Sequence, residues 1–194
     1  MATIRLLLTL AIQRQWKIQQ LDIFNAFLHG DLSDDIYMRQ PPGFIDPNLP
    51  DHEHYANKLL KDIGFTDCKA APTPLALNNT HKTNPAKPFA DPSLYRRLAG
   101  ALQYLTITRP DIAFATNRIC QQMHRPTDQD YQDLKQILRY IKGTISFGLP
   151  FIPGDLTLRT FTDADWALDH TDRKSVSGFC TFLGPNLISW TVKK

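Results

Sequence analysis

Apolar residues near the N-terminus recur at helical spacing. Ile4, Leu7, Leu8 and Ala11 fall on one face, which predicts a helix over residues 3–15 with Thr3 as its cap. Residues 17–24 then predict a strand that ends in the run QLDIF, followed by a turn or short helix over 25–30 and a short strand over 36–39. The stretch PPGFIDPNLPD, residues 41–51, is proline-rich and predicts a loop. A short helix is expected over 54–63, where Tyr55, Leu59 and Ile63 share a side and Gly64 supplies the stop. Residues 66–91 carry Pro72, Pro74, Pro85 and Pro88 among asparagines and threonines, and so long a loop points to a linker or tether.

The pattern is most regular after Asp91. Asp91-Pro92 predicts an N-cap and first helical position, ahead of a stripe of Leu94, Leu98, Ala101, Leu102 and Leu105. Pro110 opens a second helix to about Met123. Thr127 opens a third, with Asp130 in place of the usual Glu of a capping box, a buried face of Tyr131, Leu134, Leu138 and Ile141, and an end at Gly143. The period then changes from helical to two. Residues 157–162, 176–183 and 187–192 predict three strands, the last two joined by the short link GPN as a hairpin. No helix follows the third strand, so this sheet is expected to keep one bare face, a marginal arrangement.

Composition narrows the picture only a little. A hydrophobic share of 42% and a charged share of 21% describe a globular chain. No apolar run is long enough to cross a bilayer, and the N-terminal segment lacks a small-residue cleavage site, so an intracellular, non-secreted chain without membrane partners is expected. The three cysteines are far apart and give neither a disulfide framework nor a zinc knuckle. The net charge of +3 permits nucleic-acid contact without requiring it.

Two acids carry the candidate chemistry. Asp22 sits within QLDIFNAFLHG and Asp163 within FTDADWALDHTD, each at the end of a predicted strand among apolar residues. A carboxylate there is costly unless it is paired, hydrogen-bonded or bound to a metal. Spacing alone leaves a cap, an ion pair and a Mg²⁺ ligand all open. Asp165 is expected to be a surface or capping acid and Trp166 a packing residue. Arg96, Arg97, Arg109, Arg118, Arg125, Lys135, Arg139 and Lys142 are spread over the three helices, where they suit the solvated face.

The blocks QLDIFNAFLHGDLSDDIYMRQPPGF and TIRLLLTLAIQRQWKIQ closely resemble the reverse transcriptase segment of Ty1/copia-type retrotransposon Pol polyproteins. The resemblance continues through YANKLLKDIGFTDCKAAPTPL, YRRLAGALQYLTITRPDIAFATNRICQQMHRPT and LKQILRYIKGTISFGL. It ends in FTDADWALDHTDRKSVSGFCTFLGPNLISWTVKK, which is similar to the start of that polyprotein's RNase H domain. The resemblance implies an α+β chain. Residues 1–51 would be a fragment of a reverse transcriptase palm, and 52–90 a residual segment with a proline-rich linker. Residues 91–143 would be a helical connection region, and 144–194 an incomplete RNase H-like antiparallel sheet. Asp22 then matches the metal-binding catalytic acid of the palm, and Phe27 the aromatic gate that crowds a ribose 2′-hydroxyl. Asp163 matches the first metal-binding acid of the RNase H. The implied cofactor is Mg²⁺ and the implied partners are a template–primer or an RNA–DNA hybrid.

The chain also departs from that family. The second acidic motif of a reverse transcriptase, Tyr-Val-Asp-Asp or close to it, has no counterpart. The sequence passes from PPGFIDPNLPD directly to HEHYANKLLKDIGF where the family carries a large block, which implies an internal deletion near Asp51. The RNase H glutamate would follow the third strand, beyond Lys194. The expectation is a Pol remnant in which Asp22 and Asp163 are vestigial. Two other outcomes are a nucleic-acid-binding module built on the basic helices and a product without function.

Overall fold

The structure, a computed structural model, describes residues 1–19, 53–75, 87–165 and 175–194. They form an α+β arrangement. Its helices are α1 (Ala2–Gln13), α2 (Glu53–Asp62), α3 (Pro92–Leu105), α4 (Ala113–Cys120) and α5 (Asp128–Gly143), with a 3₁₀ turn over Pro110–Ile112. Its strands are β1 (Leu158–Ala164), β2 (Ser177–Leu183) and β3 (Asn186–Lys193).

Helices α2 to α5 share one core. Leu60, Tyr95, Leu98, Leu102, Ile112, Leu134, Ile137, Leu138 and Ile141 are all buried within it. The expected stripe of α3 is rotated slightly. Tyr95 and Ala99 are fully buried, whereas Leu94 and Ala101 pack at the margin. Tyr95 can sit inside because its hydroxyl donates to the Ile119 carbonyl at 2.9 Å, which satisfies the phenol and ties α3 to α4. Burial raises the Tyr95 pKa, with nearby Asp130 adding to the effect.

Local signals set the helix ends. The Asp91 carboxylate accepts from the Leu94 N–H at 2.9 Å, and Pro92 takes the first position of α3. Gly64 ends α2 at φ +68°, where Phe65 N–H closes on the Leu60 carbonyl at 2.7 Å. Thr3 is not the cap of α1: the helix starts one residue earlier, so Thr3 falls inside its first turn and Met1 holds the cap position with no side-chain bond. The helix expected from Pro110 to Met123 is divided, with the 3₁₀ turn leading into α4 and α4 ending at Cys120.

The capping box of α5 forms with Asp in the Glu position. Asp130 Oδ2 accepts from the Thr127 N–H at 2.8 Å, and the Asp130 N–H donates to Thr127 Oγ1 at 3.2 Å. Thr127→Ala is expected to lower the unfolding free energy by about 1 kcal/mol. Urea denaturation at neutral pH would read this as a lower midpoint with an unchanged slope.

The segment read as a linker is anchored at both of its described ends. Ala71 N–H donates to the Arg139 carbonyl at 3.1 Å and Gln136 Nε2 donates to the Thr73 carbonyl at 2.9 Å, which lays residues 69–75 along α5. Phe89 N–H donates to the Pro126 carbonyl at 2.9 Å, and the Phe89 ring stacks on Tyr131 at 4.2 Å. Residues 76–86 lie outside the described set.

The strands form an antiparallel meander in the order β1-β2-β3. Phe161 faces Cys180 and Asp163 faces Gly178 across β1–β2, and Cys180 faces Trp190 across β2–β3. Gly184 turns the hairpin at φ +58°, and a Cβ there would collide with the Asp155 carbonyl oxygen. The sheet is not left bare beside β3, because α1 packs against that strand from the other end of the chain. The Arg5 guanidinium lies 3.8 Å from the centre of the Trp190 ring and donates to the Ile107 carbonyl at 2.6 Å and the Ile188 carbonyl at 3.4 Å. Asn117 of α4 donates to the Val192 carbonyl at 3.3 Å. The sheet is thus held through β3, and every residue of β1 is exposed.

Candidate functional site

Asp163 is the sixth of seven residues in β1, so alternation along the strand places it on the same face as Arg159 and Phe161. Its partner across the ladder is Gly178, which has no side chain to fill the space opposite. An open groove of about 510 Å³ lies at this end of the sheet, lined among others by Thr162, Asp163, Ser177, Gly178, Thr191 and Lys193. The groove therefore presents one carboxylate and one ammonium group.

The neighbouring acid is engaged elsewhere. Asp165 accepts from the Val176 N–H through its carboxylate at 2.8 Å, and its own N–H donates to the Val176 carbonyl at 3.1 Å. It closes the β1–β2 ladder, which is the capping role expected of it. Among the described residues, no group of three His, Cys, Asp or Glu side chains could hold a metal ion. Mg²⁺ draws its affinity from several converging oxygens, so the described part of the site does not fit the ion. Asp22, Phe27 and Trp166 lie outside the described residues.

The basic residues do not behave alike. Arg109 was expected on a solvated face and is instead buried, with 2% of its surface exposed. Its Nε and one terminal nitrogen grip Asp111 at 2.9 and 2.7 Å, and its guanidinium also donates to the Thr144 carbonyl at 2.9 Å and Oγ1 at 2.7 Å. The ring centres of Phe147 and Tyr140 lie 5.6 and 5.9 Å away. The reason is positional: Arg109 follows α3 in a turn that points into the bundle, so it belongs to no helix's wet face. Arg139 donates to the Lys69 carbonyl at 2.7 Å, and Lys135 lies 5.0 Å from the Tyr131 ring centre. Arg96, Arg97, Arg125 and Lys142 are exposed.

Sequence reasoning missed Gly178 and Lys193 as neighbours of Asp163. Their placement depends on the register between β1 and β2, which are separated by a long connection whose length fixes no register. The strand pattern could have found Lys193, since it ends the hairpin that begins at Ser177.

Comparison with known proteins supplies the lineage. The reverse transcriptase (RNA-dependent DNA polymerase) family matches residues 1–53. An uncharacterized mitochondrial protein of Arabidopsis thaliana is 49% identical over 141 residues, which covers 72% of this chain and 58% of that protein. The retrovirus-related Pol polyprotein from transposon RE1 of Arabidopsis thaliana is 31% identical over 300 residues, covering 99% of this chain and 20% of the polyprotein. Its counterpart from transposon RE2 is 28% identical over 300 residues, again covering 99% of this chain and 21% of the polyprotein. The chain thus spans only part of the length of these relatives. Both polyprotein alignments run over 300 residues while this chain has 194, so each holds polyprotein sequence with no counterpart here. No solved structure matches the chain. No helix among the described residues is long and apolar enough to cross a membrane. The relatives that align along nearly the whole chain are Pol polyproteins, and the polymerase family matches its N-terminal part. The chain therefore belongs to the Ty1/copia-type retrotransposon Pol family and is a remnant of that polyprotein.

Proposed function

We propose that this remnant keeps the scaffold of the Pol connection region and the first strands of an RNase H-like sheet, and catalyses neither polymerisation nor hybrid cleavage. Asp163 on β1 is then the vestige of an RNase H metal acid, and Asp22 that of the palm acid, with Phe27, five residues on in the sequence, as the ancestral sugar gate. Ancestrally both acids would have held Mg²⁺ against an RNA–DNA hybrid or a template–primer. The observation that carries this reading is that, among the described residues, no second or third metal-ligating side chain gathers with Asp163. Its neighbour Asp165 is spent on Val176, and Gly178 offers no side chain opposite. Two-metal phosphoryl transfer needs carboxylates converging on both ions.

The test uses the purified full chain with Mg²⁺ or Mn²⁺, a labelled RNA–DNA hybrid and a labelled template–primer. Cleavage and nucleotide incorporation are expected to equal those of Asp163→Asn and Asp22→Ala within error. Metal-dependent cleavage abolished by Asp163→Asn, or incorporation abolished by Asp22→Ala, would overturn the proposal.

A further inference from the structure

Among the described residues, strand β1 is a free sheet edge. All seven of its residues are exposed, including Leu158 at 64% and Phe161 at 59%, and no described strand lies beyond it. It contains neither proline nor lysine, the usual devices that blunt an edge. The direction of its backbone groups follows from two bonds that flank it. Asp165 N–H donates to the Val176 carbonyl, and Gly184 N–H donates to the Thr157 carbonyl. Odd-numbered positions therefore turn their N–H and C=O toward β2. Leu158, Thr160, Thr162 and Ala164 turn theirs to the open side.

The strand's sequence, LRTFTDA, is complementary to itself about Phe161. Laid antiparallel on a second copy with Phe161 facing Phe161, it sets Arg159 opposite Asp163 of the copy, and Asp163 opposite the copy's Arg159. Thr160 faces Thr162, and Leu158 faces Ala164. The parity agrees with this register. The pairs that must exchange backbone bonds are Thr160 with Thr162 and Leu158 with Ala164, which are the residues with outward N–H and C=O. Phe161, Arg159 and Asp163 fall at the non-bonded positions, where facing side chains approach most closely. Centring on Thr160 instead sets Arg159 against Phe161, and centring on Thr162 sets Asp163 against Phe161. Only the Phe161 register matches both charges and rings. Phe161 also meets Phe182 edge-on at 6.1 Å within its own sheet, so the paired rings would continue an aromatic row.

We propose that β1 is a self-association edge that joins two copies of this chain into a two-fold dimer with one continuous antiparallel sheet. The contact is isologous, so it closes at two copies. One strand pair buries less than a standard interface, so the dimer is weak and concentration-dependent. The proposal stands apart from any ancestral metal role of Asp163, because it uses that carboxylate as a charge opposite Arg159.

Sedimentation equilibrium of the full chain across a micromolar concentration series tests it. The native chain is expected to move from monomer to dimer. Thr160→Pro removes an outward N–H while sparing the β1–β2 ladder, and is expected to leave a monomer with an unchanged circular dichroism spectrum. Arg159→Asp and Asp163→Arg should each weaken dimerisation by roughly tenfold or more, because each sets like charges face to face. The double variant R159D/D163R restores both pairs and should recover the native dissociation constant to within about threefold. A native chain that stays monomeric would overturn the proposal. So would a double variant no better than the singles, a Thr160→Pro protein that still dimerises, or association that keeps growing beyond two copies.

Discussion

Replacing Arg109 with methionine is expected to destabilise the protein by about 2–4 kcal/mol, because the guanidinium is buried while its partner Asp111 keeps 30% of its side chain exposed, which places the loss below that of a fully buried ion pair. The guanidinium satisfies Asp111 through two bonds and Thr144 through two more, at distances of 2.7–2.9 Å. The two bonds to Asp111 close the turn after α3 on itself, and the two to Thr144 fix that turn to the end of α5. Methionine keeps most of the apolar volume between Tyr140 and Phe147 but leaves the Asp111 carboxylate and the Thr144 carbonyl short of donors. Loss of the charged hydrogen bonds to Thr144, rather than lost packing, dominates the cost, because water reaches the partly exposed Asp111 carboxylate. Chemical denaturation of the two proteins side by side checks the value; a loss below about 1 kcal/mol would show that water reaches the node freely.

The same node makes stability depend on pH. Burial alone would raise the Asp111 pKa, but hydrogen bonds and charge from Arg109, with a further bond from Tyr140, hold it below the ordinary carboxylate value. A depressed folded pKa means that this contribution is complete above the unfolded value of about 3.9 and fades as pH falls through the folded pKa. Tyr140 works in the opposite direction. Burial and its bond to Asp111 raise its pKa, so its contribution is present below about pH 10 and is lost as pH rises through the folded value. In Arg109→Met the largest counterweight to burial at Asp111 is gone. The acid-side loss of stability should therefore be shallower in the variant than in the native chain.

What the sequence disclosed was what local chemistry decides. Thr127 and Asp130 lie three residues apart and make the cap that their types predict. Asp91-Pro92 opens α3, and Gly184-Pro185 turns the β2–β3 hairpin, because each of these choices closes within a few residues. The misses share one feature, a partner far along the chain. Arg109 meets Thr144 35 residues away, and Arg5 meets Ile188 183 residues away. No periodicity connects such positions, so the sequence alone assigns Arg109 to a wet face and gives Arg5 no partner. The candidate site divides in the same way. Alternation could set Asp163 on a strand, and a two-residue step could leave Asp165 as a cap. Whether other acids converge on Asp163 depends on register and packing across the fold. The self-complementarity of LRTFTDA lay in the sequence throughout, but it becomes meaningful only once β1 is known to be an exposed edge.

Arg5→Ala is expected to detach α1 from the sheet at a cost of about 2–3 kcal/mol, the second largest effect foreseen here. Two terms add. Stacking of the guanidinium on the Trp190 ring at 3.8 Å contributes roughly 0.5–2 kcal/mol, according to how far it is desolvated. Bonds from a charged donor contribute roughly 1.5–3 kcal/mol, and here the short one to Ile107 at 2.6 Å outweighs the long one to Ile188 at 3.4 Å. Partial exposure of Arg5 keeps the sum below the simple total. Lysine should rescue little, because it has no planar fork to stack on the indole while reaching a carbonyl. Hydrogen exchange separates this local effect from global unfolding. Amides of β3 and α1 should exchange roughly thirty to a hundred times faster in the variant, while those of α5 keep their native protection because the helical core is built without Arg5. Equal acceleration in α5 and β3 would mean that bundle, sheet and α1 unfold as one unit. No acceleration in β3 would mean that α1 rests on the sheet without stabilising it. The expected middle result describes a remnant in which the first helix, inherited from the polymerase end of the polyprotein, supports a sheet that lies at the opposite end of the chain.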